Sequence, residues 1–336
     1  MRDVAELAGV SLKTVSRVVN GEDAVRGELV DRVERAVQSL GYRPDERARN
    51  LRQSDSRPAS IGFAMVDVSN PFFSSILRGL EEVAGSRDCL VLSGSSDGDP
   101  ARQDRLIESF ISRRVGGLVV VPSGDRLGPI AAEILHGTPV VFLDCEPCAH
   151  HSDLVRSDHF GGAVELTHHL VRHGHRGIGF LGDAPEIFSA GLRLDGFRKA
   201  MAELGLPIRE DWMLTGHFTA NRWCGVVKEW LNGLTERPTA LLAAQNFVTI
   251  GAVTALHEMG LHHEMAMVGF DDFELSGVIE PGISVIPQQP RELGRLAAEL
   301  LFRRLDGDVD APTRTILSSP IIARGSGEIP GPHLGR

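Results

Sequence analysis

The feature that most constrains this chain is an internal doubling. Short β-branched runs at Ile61–Val66, Leu90–Ser93, Gly117–Val121 and Val140–Leu143 alternate with helical stretches. A second set follows at Ile178–Leu181, Ala240–Ala244 and Met267–Phe270. Strands spaced by helices predict parallel α/β units. The halves also echo each other in detail. Ile61-Gly62-Phe63 recurs as Ile178-Gly179-Phe180, and Phe142-Leu143-Asp144 has its counterpart in Gly269-Phe270-Asp271. Each half therefore reads as a doubly wound parallel sheet with an aspartate just past a strand's carboxyl end, where open α/β sheets bind ligands. Two such halves facing each other make a hinged cleft.

The stretch from Asp3 to Asn20 has a different period. Asp3 is placed to cap a short helix whose Val4, Leu7 and Ala8 share a face. Gly9 suits the left-handed residue that ends that helix, and Ser11 caps the next. In the second helix Val15, Val18 and Val19 point inward, while Leu12, Lys13, Ser16, Arg17 and Asn20 point outward. A third amphipathic run carries Leu29, Val30, Val33, Val37 and Leu40 on its inner face. This is a helix-turn-helix, a unit that inserts its second helix into the major groove. Charge agrees with the division. Residues 1–58 hold 11 Lys and Arg against 10 Asp and Glu, so that segment is +1 and the body beyond it carries −11, against −10 for the whole chain. An acidic body limits non-specific attraction to phosphates.

Asp3 to Asn20, followed by Leu40-Gly41-Tyr42-Arg43-Pro44, resembles the headpiece of the lactose-repressor family of bacterial transcription regulators, and the likeness extends to about Arg324. It implies a small all-α helix-turn-helix headpiece plus an α/β core of two doubly wound parallel-sheet subdomains, like the periplasmic sugar-binding proteins. The expected divisions are a headpiece at 1–44, a hinge helix and linker at 45–58, and core subdomains at 59–156 plus 287–317 and 157–286 plus 318–325. The glycine- and proline-rich residues 326–336 are expected to be a disordered tail. That tail has no leucine heptads, so the resemblance implies a homodimer rather than a tetramer.

By the same resemblance, Leu12, Lys13 and Arg17 read base edges, with Arg and Lys suited to guanine and Leu12 to a thymine methyl. Ser11, Thr14, Ser16 and Asn20 contact phosphates and fix register. In Asp45 to Gln53, Leu51 with Ala48 beside it is the minor-groove wedge that kinks operator DNA. Two departures stand out: Asp45 replaces the family's frequent Asn after the proline, and only Met1-Arg2 precede Asp3.

The expected effector set is Arg193, from an Arg-Leu-x-Gly-Phe run, and Asp271, facing Asn70, Phe72 and Phe73 with Asp144 at the opposite sheet edge. Phe218 or Trp223 closes the mouth, and Gln288 lies near a chain crossing. Guanidinium and carboxylate groups each hold neighbouring hydroxyls, which suits a sugar or polyol. Gln245-Asn246 stands where relatives have Asn-Asp, so Gln245 becomes the pocket amide and an acid is lost. A purine or other non-sugar effector is the alternative, and a solute-binding transport protein is the alternative of another class.

Other signals are negative. Cys145-x-x-Cys148 with His150 and His151 has the groups of a zinc site, but it lies in one loop at the cleft edge and no metal is expected there. His168, His169, His173 and His175 sit at a helix end and are expected to be solvated. No Gly-x-Ser-x-Gly elbow, phosphate loop or dinucleotide fingerprint occurs, so neither an enzyme nor a cofactor is indicated. No run approaches a membrane span and no secretory signal is seen, which predicts a cytoplasmic protein.

Overall fold

A computed structural model describes residues 2–19, 27–40, 58–124, 126–145 and 152–335. The chain divides into two units, 1–57 and 58–336.

In the first unit α1 (Arg2–Ala8), α2 (Leu12–Val19) and α3 (Gly27–Ser39) close on Val4, Ala5, Ala8, Val15, Val33 and Ala36. Asp3 lies inside the first turn of α1 rather than at its cap, where its charge still favours the helix dipole. Leu7 and Leu40, expected inside, are exposed. On α1 the buried arc runs through Val4, Ala8 and Ala5, and Leu7 projects roughly 100° away from its centre. Leu40 falls just past the end of α3.

The second unit holds two parallel sheets. The first has strand order β11-β5-β4-β3-β1-β2, built from β1 (Ser60–Met65), β2 (Leu90–Ser95), β3 (Leu118–Val120), β4 (Val140–Leu143), β5 (Asp153–Ser157) and β11 (Arg314–Leu317). The second has order β10-β9-β8-β6-β7, from β6 (Ile178–Gly182), β7 (Met213–Thr215), β8 (Ala240–Ala243), β9 (Ala266–Phe270) and β10 (Ser284–Ile286). Central strands such as β4, β8 and β9 are buried along their whole length, as two-sided sheets require. Helices α4 (Pro71–Gly85), α5 (Pro100–Ser112), α6 (Pro129–Leu135) and α11 (Pro290–Leu305) pack on the first sheet. The second is covered by α7 (His159–Arg172), α8 (Phe188–Glu203), α9 (Trp223–Gly233) and α10 (Asn246–Glu258).

The chain leaves the first lobe after β5, returns after β10 to lay α11 against α4, and crosses again after β11, where Ile322 bridges Val285. Helices α4 and α11 cross backbone to backbone. A Cβ on Gly79 would sit 2.0 Å from the Arg291 carbonyl oxygen, and one on Gly294 2.1 Å from that of Ile76.

The tail expectation is corrected. Residues 326–335 are packed on the second lobe, not disordered. Ser326 Oγ donates to the Met267 carbonyl at 2.6 Å and accepts from Ser284 N at 3.0 Å. Glu328 accepts from Ser284 Oγ at 2.8 Å, and its other oxygen meets His169 Nε2 at 2.5 Å. Gly331 N donates to the His173 carbonyl at 2.8 Å. The glycine content serves close approach here, since a Cβ on Gly331 would lie 2.4 Å from the Gly174 backbone. The same contacts bury His169 and His175, which are not solvated; His168 and His173 are half-buried.

Burial holds His169 and His175 below the ordinary histidine value of 6.5, against the opposing pull of Glu328 and the Ile329 carbonyl. A depressed histidine contributes stability that is complete above 6.5 and is lost as pH falls. Glu328→Ala strands the Ser284 hydroxyl and His169, so it should cost about 1–3 kcal/mol, seen as a lowered thermal midpoint. An unchanged midpoint would show that the tail does not brace the lobe.

Candidate functional site

Two surfaces carry chemistry, one in each unit. In the headpiece, Ser11 Oγ accepts from Thr14 N at 3.1 Å and so caps α2. Gly9 takes φ +61°, and Arg32 donates to the carbonyls of Ala8 and Gly9, which pins the turn between α1 and α2. Val15 is fully buried, so the rotation of α2 is fixed by the core. Ser11, Leu12 and Lys13 are exposed, and Thr14, Ser16 and Arg17 are half-buried. Leu12 is 47% exposed and has no core duty. Asn20, Ala48 and Leu51 lie outside the described residues.

In the core, the carboxyl ends of the two sheets meet across a cleft. Asp144 ends β4 and Asp271 ends β9, both in the left-handed region, with φ of 54° and 64°. Aspartate tolerates that conformation better than most residues. His159, the first residue of α7, is completely buried and contacts Asp144 Oδ1 through Nε2 at 2.6 Å. Its Nδ1 faces Arg193 Nε and Nη2 at 3.2 and 3.1 Å. Arg193 also donates to the Ala244 carbonyl at 2.5 Å and lies 4.5 Å over the Phe270 ring. Asp271 accepts from Gln288 Nε2, while Gln288 Oε1 is buried and has no partner. Asn70 and Asn246 exchange amide hydrogen bonds of 2.7 and 3.4 Å from opposite lobes.

The electrostatics separate the aspartates. For Asp144, burial alone would raise the pKa, but His159, Arg193 and Arg156 together hold it below the ordinary range. For Asp271, burial prevails and the nearby Asp144 charge adds to it, so its carboxyl is raised despite Arg193 and Gln288. Burial likewise raises Asp183, just past β6. Three carboxyl groups thus gather around the Arg193 guanidinium.

Known proteins share this architecture. The model for "Bacterial regulatory proteins, lacI family" matches residues 1–45, and that for a periplasmic binding protein-like domain matches 167–327. The ribose operon repressor of Escherichia coli (strain K12) is 31% identical over 331 residues, spanning 97% of this chain and 99% of that protein. The chain belongs to the lacI family. It is therefore a DNA-binding transcription regulator with a ligand-binding core. The HTH-type transcriptional repressor PurR of Aliivibrio salmonicida is 29% identical over 91% of this chain and 92% of its own length. Among solved structures, the Lac repressor dimer bound to operator and the anti-inducer ONPF superposes with TM-score 0.83 at 27% identity, covering 97% of this chain and 98% of that one.

Within this lacI-family core, Asp144, Arg193, Asp271 and Gln288 come together, and Asn70 of the first lobe meets Asn246 of the second. Four expectations change. Arg193, expected free to hold effector hydroxyls, is already bonded to His159 and Ala244. Gln245 is not the pocket amide: its Oε1 turns back to accept from Phe247 N and Val248 N, capping α10, and Asn246 takes the cleft-facing place. Trp223 is core, 1% exposed, and Phe218 packs edge-on against it. Phe72 and Phe73 are each 8% exposed and belong mainly to the first lobe's core.

His159, Asn246 and Asp183 were missed from sequence. Their signal was positional, since each lies one to three residues beyond a strand's carboxyl end. Among the described residues no cluster of His, Cys, Asp and Glu has the makings of a metal site, and Cys148, His150 and His151 fall outside them. Nor is any helix there long and apolar enough to cross a membrane.

Proposed function

We propose that this regulator is a cytoplasmic repressor that binds a pseudo-palindromic operator as a homodimer and is controlled by a neutral sugar or polyol. Residues 1–44 read the DNA, with Lys13 and Arg17 on base edges, Leu12 against a thymine methyl, and Ser11, Thr14, Ser16 and Asn20 on phosphates. Residues 45–58 form the hinge, with Leu51 as the wedge beside Ala48. The lobes at 59–156 plus 287–317 and 157–286 plus 318–325 close on the effector. A ligand moves the lobes only by binding one arrangement better than the other.

One observation carries the effector class. The cleft offers surplus acceptors, namely the Asp271 carboxylate and the unpartnered Gln288 Oε1. A ligand rich in hydroxyl donors satisfies both. An anionic ligand is opposed by Asp144, Asp183 and Asp271 around one guanidinium. The relative named a ribose operon repressor supports a sugar. A stacked purine has less to bind, because Phe72, Phe73 and Trp223 are occupied in the core.

Calorimetry against D-ribose, other neutral sugars, sugar phosphates and purines tests the class. A neutral sugar should bind, and Asp271→Ala should weaken it by about 1–3 kcal/mol while operator affinity without effector is kept. A purine or a sugar phosphate winning the panel would overturn the assignment.

A further inference from the structure

We propose that His159 is a positioning residue, a neutral imidazole latch that ties the first lobe's Asp144 to the second lobe's Arg193. Its role in the regulator rests on reading the cleft as the effector site, but the latch itself is argued from geometry.

A guanidinium has donors and no acceptor, so the two Arg193 nitrogens at 3.2 and 3.1 Å require a lone pair on His159 Nδ1. The proton then sits on Nε2, which donates to Asp144 Oδ1 at 2.6 Å. The partners thus fix one neutral tautomer in a carboxylate–imidazole–guanidinium chain. Both ends of that chain are held. Asp158 caps α7 by accepting from Gly161 N at 2.9 Å, which fixes the backbone that carries His159. At the other end the left-handed turn at Asp144 follows directly on β4. Asp144 belongs to the sheet of the first lobe, and Arg193 to a helix of the second. The link is therefore a closure contact, alongside the Asn70–Asn246 pair.

A second proton on the ring would point at Arg193 and abolish that bond. Glutamine presents an acceptor and a donor separated much as the two ring nitrogens are, yet takes up no proton. His159→Gln therefore keeps an acceptor for Arg193 and a donor for Asp144 without the ring.

The test uses the full chain without effector, so its outcome is independent of the calorimetric panel. At pH 7.5, His159→Ala should lower the thermal midpoint of the core by roughly 5 °C, and His159→Gln should restore most of that loss. Asp144→Ala should cost less in the His159→Ala background than alone. Should the alanine variant fail to fold, the glutamine variant decides, keeping a midpoint close to that of the wild type. Glutamine doing no better than alanine, or failing to fold, overturns the latch, as do additive losses.

Discussion

Arg17→Ala is expected to weaken cognate operator binding by about 1–3 kcal/mol for each half-site, which is roughly fivefold to over a hundredfold at each. The reason lies in how α2 is seated. Val15 at its centre is fully buried, Ser11 caps its start, and Arg32 holds the preceding turn. With rotation fixed in this way, the outward side chains of the helix meet DNA in one register. Arg17 is outside the headpiece's apolar cluster, so truncating it opens no cavity there. The loss should fall on one base pair per half-site and relax the preference for guanine there. Lys13→Ala offers the contrast of a shorter reach from an exposed position at the start of the helix. Fluorescence anisotropy with the cognate duplex, single-base variants and random DNA at fixed salt makes the distinction. Equal weakening on cognate and random DNA would reduce Arg17 to a phosphate contact.

Most of this architecture was legible because its signals are local. The strand set from Ile61 to Leu143 and its repeat from Ile178 to Phe270 announce themselves through β-branched runs, and all seven appear with ends shifted by a residue or two. The helix-turn-helix is equally local, since Gly9, Ser11 and the valines of α2 each state their role. What sequence did not show is non-local. Strands β7 and β10 are three residues long, and β5 and β11 carry charged residues that only pairing within the sheet explains. Asp153 in β5, for instance, is buried because Arg304 from α11 meets it with two hydrogen bonds, across a separation of 151 residues. The tail misled through composition: Gly331 reads as disorder until Gly174 is seen against it. Gln245 and Asn246 exchanged places because either amide can cap the helix that follows, and only the bond from Asn246 to Asn70, 176 positions away, shows which one faces the cleft. His159 was visible as a residue but not as a link, since its partners lie 15 and 34 positions away.

Arg193→Met should produce the largest loss of stability in the core, about 3–5 kcal/mol, because it removes the cation and leaves buried carboxylates behind. Arg193 is 4% exposed, and its hydrogen bonds and ring contact reach His159, Ala244 and Phe270 together. Methionine keeps much of the apolar volume against Phe270, which isolates the electrostatic part of the cost. Lysine should rescue poorly, since an ammonium does not reproduce the planar fork that reaches the imidazole and the carbonyl while lying over the ring. The pH dependence carries the argument further. In the wild type Asp144 is held below the ordinary aspartate value of 3.8, so it contributes stability above that value which is lost as pH falls through the lowered one. Without Arg193 that contribution shrinks, and burial favours protonated Asp144, Asp183 and Asp271. The deficit of the variant should therefore be greatest near neutral pH and should narrow as pH falls toward 4. Thermal unfolding of the full chain at pH 7 and pH 4.5 measures it, with operator binding below the transition as the control for the headpiece. A deficit that stays constant across that range would mean that Arg193 contributes packing and hydrogen bonds alone, and that the three carboxyl groups find their compensation elsewhere in the cleft.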